Sequence, residues 1–303
     1  MVAIGRQWHV NHVVADYRAV TDWYRDVFGA VDVFTDEWLE AEKRWASMVT
    51  IADLAVDVME PTAEGAALPL GKFLARFGPH FHAAAYFVDG PPTAIFDALT
   101  ARGVRCFGLA GAGREVMVEQ PMSPVFTHPR GTAGQLEFMP FSESRPGPLG
   151  VPGRWDDPRF RDGWSNEPWQ RHPLGIQGWR VGVVVRDLDR AADIYRALGA
   201  DVIAKSDEPG ATRCRLRFGA NTTVELIAPT SDDTVAGRDL AANGEIMHSC
   251  IFETGDLTAA EAHLTDRGVG IAERHPARLV ADPANCHGAV FEFVSAEENL
   301  RRI

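Results

Sequence analysis

The sequence predicts an α+β protein of four β-α-β-β-β units, paired into two similar domains that each form a curved mixed sheet around a central cavity. The first observation behind this prediction is a strand and amphipathic helix at residues 8–30, WHVNHVVADYRAVTDWYRDVFGA, which returns at residues 179–200 as WRVGVVVRDLDRAADIYRALGA. The second is that further similar segments follow in the same order, such as LTARGV at 99–104 and LTDRGV at 264–269. Similar segments repeated at a long period indicate duplicated structural units.

The first unit is predicted from the spacing of its apolar residues and from its turn residues. A strand over residues 7–15 is followed by a helix that starts at Asp16, whose apolar residues recur three to four positions apart. Gly29 suits the left-handed backbone position that ends a helix. The strands that complete the unit are predicted near residues 31–35, 44–51 and 53–60.

The second unit is predicted to follow a loop and short helix within residues 61–79. Its first strand covers 81–88 and its helix covers 92–102. The strands that follow are predicted near 104–108, 113–120 and 124–139, the last of them divided into two segments by Pro129 and Gly131 because proline and glycine interrupt a strand.

The repeated segments also set the predicted domain boundaries. We predict a first domain over residues 1–140, a linker over 141–176 and a second domain over 177–303. The linker is rich in proline, glycine and tryptophan and has no periodic pattern. Its tryptophans are expected to pack against the domains: Trp155, Trp164 and Trp169.

Composition restricts the partners and the compartment. The net charge is −12, which argues against nucleic acid and anionic membranes because both are bound by basic surfaces. The four cysteines are widely spaced and are expected to be free thiols in the cytoplasm. The N-terminus has no pattern of a signal peptide, and no apolar run is long enough to span a bilayer. A homodimer is compatible with the sequence.

Two histidines and two carboxylates are candidates for a metal site in the first domain. His9 precedes Asp16 by seven residues and His82 precedes Asp89 by the same seven, so the histidines are predicted at equivalent positions of two paired units. Asp57 and Glu137 lie on the last strands of these units. Buried carboxylates and imidazoles are costly unless they are paired or bind a cation. His80 is a rival of His82, since it lies two residues earlier on the same strand.

Strand alternation predicts which neighbours share the face of these four residues. We expect substrate contacts from the residues on that face and from one histidine at a strand end: Asn11, Met59, Tyr86, Met139 and His128. Several of them are apolar or aromatic, which favours a small-molecule substrate with a hydrophobic or aromatic part.

The chain resembles the vicinal oxygen chelate superfamily, which includes glyoxalase I, methylmalonyl-CoA epimerase, extradiol dioxygenases and the bleomycin-resistance proteins. The segments that carry the resemblance are HVVADYRAVTDWYRDVFGA, GKFLARFGPHFHAAAYFVD and THPRGTAGQLEF. The resemblance implies that His9, His82 and Glu137 bind one divalent metal ion, which could be iron, manganese, zinc, nickel or cobalt. It places Asp57 at the fourth ligand position, where an aspartate could instead orient a ligand or a water molecule.

The resemblance implies an enzyme of the glyoxalase or epimerase type, an isomerase or lyase that chelates neighbouring substrate oxygens and stabilises an enolate-like intermediate. Glu137 or Asp57 would move the proton. One alternative is an Fe(II) extradiol dioxygenase, because two histidines and a carboxylate also suit that metal. A further alternative is a binding or resistance protein without catalysis.

The second domain is predicted to hold a degenerate copy of the site. Arg180 stands where the first copy has His9, and the other corresponding residues are Glu225, His248 and Glu292. An arginine cannot bind a cation as a ligand. We expect Arg180 to pair with Glu225 or Glu292; the alternative is a pocket in which Arg180 holds an anion.

Overall fold

The computed structural model describes residues 4–52, 54–88, 90–120, 123–140, 173–219 and 223–295. The predicted linker with Trp155, Trp164 and Trp169 lies outside these residues except for its last four positions, and so does Asp89. The two halves of the chain on either side of the linker share a common order of strands and longer helices, and the first half has two additional short α-helices.

The elements of the first half follow one another from residue 4 to residue 140. They are β1 (Ile4–Val13), α1 (Tyr17–Phe28), β2 (Val31–Leu39), β3 (Arg44–Ile51), β4 (Leu54–Pro61), α2 (Pro69–Phe77), β5 (His80–Val88), α3 (Pro92–Thr100), β6 (Cys106–Phe107), α4 (Arg114–Glu119), β7 (Val125–Thr127), α5 (Pro129–Thr132) and β8 (Gln135–Pro140).

The elements of the second half begin at residue 176. They are β9 (Ile176–Val184), α6 (Leu188–Ala197), β10 (Asp201–Glu208), β11 (Ala211–Arg217), β12 (Thr223–Pro229), α7 (Val235–Asn243), β13 (Ile246–Thr254), α8 (Leu257–Asp266), β14 (Ile271–His275), β15 (Arg278–Ala281) and β16 (Val290–Ser295). No helix among the described residues is long and apolar enough to span a membrane.

Each half folds into one eight-stranded mixed sheet. The strand order is β2-β3-β4-β1-β5-β8-β7-β6 in the first and β10-β11-β12-β9-β13-β16-β15-β14 in the second. In each sheet the first strands of two units lie side by side and antiparallel at the centre, and each is parallel to the last strand of its own unit. The predicted fold of four units paired into two domains is therefore confirmed.

The repeated strand–helix junction forms for a local reason that the sequence shows. The side chain of Asp16 accepts a hydrogen bond of 3.0 Å from the backbone N–H of Ala19, and Asp187 accepts one of 2.9 Å from Arg190 in the second copy. Gly29 ends α1 with a φ of 61°, a left-handed conformation that glycine adopts at little cost.

One predicted strand, over residues 113–120, is wrong. These residues form α4, which packs against α3. Met117 is its buried residue, and Arg114 makes two hydrogen bonds of 2.6 Å to Asp97 on α3. The valines in REVMVE favour a strand, but the contacts with α3 override this weak local preference.

The two domains pack against each other through α1. Trp23 and Phe28 of this helix contact Phe291 of β16, with ring centroids 5.9 and 4.9 Å apart. His12 on β1 lies on the same side of the first sheet, and its Nε2 is 3.0 Å from the carbonyl oxygen of His287. The opposite face of β1 is therefore free to line a cavity within the first domain.

Candidate active site

The four side chains predicted as metal ligands line one cavity of about 220 Å³ against the first sheet. All four are buried, with 3% of His9, 6% of Asp57, 8% of His82 and 5% of Glu137 exposed. Aromatic and aliphatic residues supply most of the remaining wall, among them Trp8, Phe34, Phe107, Leu109 and Phe126. The cavity is a mainly apolar pocket with a few polar groups, as ligand sites usually are.

His9 and Glu137 contact each other in this cavity. The Nε2 atom of His9 lies 3.3 Å from Oε2 of Glu137, and Asn11 donates a hydrogen bond of 3.0 Å to the same oxygen. Burial opposes ionisation of Glu137, but the neighbouring His9 and the hydrogen bonds outweigh it and lower the pKa of Glu137 below its usual range. Glu137 is therefore a carboxylate at neutral pH.

His82 reaches the cavity because of a β-bulge. Strand β5 pairs Ala83 with Asn11 and then Phe81 with His12, so that His82 is the extra residue between the two pairs. A bulge of this kind redirects a side chain. Burial lowers the pKa of His82 to about 4, so its imidazole is neutral at pH 7, as a metal ligand must be.

The bulge corrects the predicted equivalence of His9 and His82. On β1 the residue skipped by the pairing is Trp8, which lies between Gln7 and His9. The strand pairing therefore makes Trp8 the residue of β1 that corresponds to His82. The spacing to Asp16 and Asp89 predicts its neighbour His9 instead. The two histidines share the cavity although they do not occupy equivalent positions.

His80, the rival of His82, lies outside this cavity. Its Nδ1 is 2.8 Å from the carbonyl oxygen of Phe81, and its Nε2 is 3.2 Å from Oδ1 of Asp239 on α7. Asp239 also accepts from His248, at 2.5 Å. His80 therefore belongs to a polar contact between the two domains.

Asp57 is paired with Arg44, a residue that the sequence analysis did not identify. The Nη2 atom of Arg44 lies 3.4 Å from Oδ2 of Asp57, and its Nε donates a hydrogen bond of 2.8 Å to Glu42. Burial raises the pKa of Asp57 above its usual range although Arg44 favours the charged form. Arg44 alternates with Ala46 and Met48 along β3, so the pattern could have placed it on the cavity face.

Three of the five predicted substrate contacts line the cavity: Asn11, Met59 and Met139. Tyr86 does not, because the bulge reverses the alternation of β5, and its hydroxyl donates a hydrogen bond of 3.2 Å to Gln7 within the core. His128 does not either. It caps α5 by accepting from the backbone N–H of Arg130 at 3.2 Å and lines a separate cleft between the domains.

Comparison with known proteins identifies the chain's relatives. Residues 180–286 match the model of the glyoxalase/bleomycin resistance protein/dioxygenase superfamily, the vicinal oxygen chelate superfamily that the sequence resembles. A triple mutant of 4-hydroxymandelate synthase from Streptomyces coelicolor has a similar fold over 97% of this chain and 93% of its own, at 15% identity and a TM-score of 0.64. Residues 180–286 thus match this superfamily's model, and the chain as a whole shares the fold of the synthase.

Other superfamily structures match about one domain's length of the chain. The methylmalonyl-CoA epimerase of Mycobacterium tuberculosis is 24% identical over 40% of this chain and 89% of its own, with a TM-score of 0.37. A mutant of the Streptomyces coelicolor epimerase with bound 2-nitronate-propionyl-CoA is 29% identical over 38% of this chain and 94% of its own, with a TM-score of 0.35. No curated protein sequence matches the chain.

The metal ion that the sequence resemblance implies for the first domain would need several donor atoms close together. Within the described residues, no three His, Cys, Asp or Glu side chains are grouped closely enough to hold a metal ion as they stand. The separation of His9 and Glu137 is nevertheless close to the ~3 Å expected of neighbouring ligands on an ion with bonds of about 2.1 Å. Three residues that line the cavity also have a buried polar atom without a hydrogen-bond partner: His9 Nδ1, His82 Nδ1 and Asp57 Oδ1. Two histidines and a carboxylate are the types of donor that divalent transition metals bind, and all three residues line this cavity.

The corresponding position in the second domain holds a buried network of ion pairs. Arg180 donates to Glu225 at 2.5 Å and to Glu253 at 3.0 Å, so the expected pairing with Glu225 is present. Arg278 donates to Glu292 at 2.6 Å. Burial opposes ionisation of Glu292, but Arg213 and Arg278 lower its pKa to about 2. The guanidinium groups thus compensate the carboxylates of this domain without a metal.

His248 is the residue of the second domain that corresponds to His82 of the first. Strand β13 has a bulge at His248, between Met247 and Ser249, as β5 has at His82. In the second domain this histidine is bonded to Asp239 instead of being free to bind a ligand. The predicted degenerate residues Arg180, Glu225, His248 and Glu292 all have protein partners.

Proposed function

We propose that the chain is a divalent-metal-dependent enzyme whose active site is the cavity of the first domain. His9, His82 and Glu137 would hold the cation, and a small substrate would bind there through two neighbouring oxygens. The observation that carries the proposal is the contact of His9 with Glu137 in a cavity that His82 also lines, where one ring nitrogen of each histidine is buried without a hydrogen-bond partner. Such groups are costly to bury unless something binds them.

When bound, a divalent cation supplies Lewis-acid stabilisation of an enolate-like oxygen. The chain's own residues supply the rest. Asn11 holds the carboxylate of Glu137 in place through its hydrogen bond. Asp57 is the group that moves the proton, since its Oδ1 is free of protein partners while Arg44 holds its other oxygen. The apolar wall excludes water and thereby strengthens the electrostatic interactions of these groups.

The reaction class proposed is that of an isomerase or lyase of the glyoxalase or epimerase type. The Asp57–Arg44 pair supports this class, because proton transfer next to a carbonyl needs a carboxylate whose protonation state is controlled. The alternative, an Fe(II) ring-cleaving dioxygenase, is favoured by the two-histidine, one-carboxylate donor set. Oxygen uptake with catechols by the iron-loaded protein would establish the dioxygenase and contradict the isomerase or lyase.

The metal proposal predicts that a divalent cation stabilises the folded protein. We expect metal-free protein, prepared with a chelator, to melt at a higher temperature as manganese, cobalt, nickel or zinc is added. A hundredfold excess of the cation over its dissociation constant adds about 2.7 kcal/mol to the free energy of unfolding. The measurement is a thermal melt at increasing metal concentration. The control is magnesium-free buffer with potassium chloride at equal ionic strength. If no divalent cation raises the melting temperature, the proposal is contradicted.

A further inference from the structure

A second cavity, of about 640 Å³, lies between the two domains. Helices α2 and α5 form its wall on the side of the first domain. On the other side the wall consists of the start of α6 and the turn from α7 into β13, including Asn243 and Ile246. We call this cavity the interdomain cleft.

The interdomain cleft is strongly basic in a chain whose net charge is −12. Its described lining contains five cationic side chains, from both domains: Lys72, Arg76, Arg130, Arg186 and Arg190. The lining contains one carboxylate, Glu245, which forms an ion pair with Arg190. Among the residues that the structure describes, the lining of the cleft therefore has an excess of positive charge.

The interdomain cleft and the active-site cavity share part of their walls. Four residues line both: Pro69, His82, Phe107 and Gln135. His82, which we propose as a metal-binding residue, is therefore also part of the wall that a small molecule in the cleft would contact. A substrate could lie with its reacting oxygens at His82 and the remainder in the cleft.

The side chains of the cleft suit an anion with several oxygens better than a single carboxylate. Guanidinium groups donate several hydrogen bonds in a fixed plane and bind phosphate in a bidentate manner. Lys72 lies on α2, Arg130 on α5 and Arg186 in the junction between β9 and α6, so they come from separate parts of the wall instead of forming one row. Phe73 and Phe77 supply an apolar floor, and the guanidinium of Arg76 lies 4.8 Å from the ring centroid of Phe77.

From these contacts we propose that the substrate carries a phosphate-type anionic group that the interdomain cleft binds. This inference rests on the proposed function only for the place of the reacting oxygens. The binding of the anion itself depends on the cationic side chains and needs no metal. The two proposals can therefore fail independently.

The test uses the full-length, metal-free protein and inorganic pyrophosphate as the probe, measured by titration calorimetry at low salt. The variant carries Lys72→Gln, Arg130→Gln and Arg186→Gln. The matched control removes three exposed cations elsewhere, Arg102→Gln, Lys205→Gln and Arg274→Gln, so that the net charge changes equally. We expect the dissociation constant to rise at least about tenfold in the cleft variant and less than about twofold in the control.

Three results would overturn the inference. They are the absence of saturable pyrophosphate binding by the wild type, equal weakening in the cleft and control variants, and tighter binding of a polyglutamate peptide than of pyrophosphate. A His82→Ala variant that binds pyrophosphate but no metal supports the cleft. If the wild type binds pyrophosphate but takes up no metal, the proposed function is contradicted and the inference about the cleft is not. If the wild type binds metal but not pyrophosphate, the inference about the cleft is contradicted and the proposed function is not.

Discussion

The His9→Ala variant is expected to bind a divalent cation at least about 100-fold more weakly than the wild type, since losing even a group that merely supports a ligand costs 10- to 100-fold. The imidazole of His9 is 3.3 Å from Glu137, and its removal takes away one of three donors. The measurement is the dissociation constant for cobalt or manganese, determined by titration of metal-free protein.

The control for this variant is His275→Ala, which removes a partly buried histidine of the second domain far from the cavity. It should bind the cation as the wild type does. Equal affinities of the wild type and the His9→Ala variant would remove His9 from the metal site. Comparable melting curves of the two variants would show that the change in affinity does not result from unfolding.

The Arg180→Ala variant is expected to lose about 3–5 kcal/mol of the free energy of unfolding, because removing one partner of a buried ion pair leaves an uncompensated charge. Arg180 is 1% exposed and donates to Glu225, which is 2% exposed. Arg213 and Arg278 also contact Glu225 and compensate part of its charge, so the loss is expected at the lower end of this range. The measurement is denaturant unfolding at neutral pH.

The matched control is Arg196→Ala, which breaks an exposed ion pair with Asp193 on the surface of α6. Exposed pairs contribute about 1 kcal/mol or less. If the two variants unfold at the same denaturant concentration, the network in the second domain does not stabilise the fold, and its role as a replacement for a metal must be abandoned.

Most of the fold could be predicted because its signals are local and repeated. The caps at Asp16 and Asp187 and the left-handed Gly29 are visible in the sequence, and duplication makes each of them more reliable. The helix α4 could not be predicted, because a short segment with two valines has no strong preference of its own. Its conformation depends on contacts between Arg114 and Asp97, which are 17 residues apart.

The cavity of the candidate site was predicted only in part. Strand positions place His9, Asp57 and Glu137 on the cavity face, but His82 faces it through a bulge that no spacing rule reveals. The same bulge turns Tyr86 to the core side of β5, whereas simple strand alternation predicts the cavity side. Glu42 joins the cavity from a turn between β2 and β3, and the conformation of such a turn depends on tertiary contacts more than on its sequence.

The most direct test of the account is the metal content of two purified variants, His82→Ala and His80→Gln. The structure places the first histidine in the cavity and the second in a contact with Asp239 between the domains. We expect the His80→Gln variant to retain the wild-type ratio of metal to protein and the His82→Ala variant to lose most of its metal. Metal retained by His82→Ala and lost by His80→Gln would contradict the assignment of the active site to this cavity.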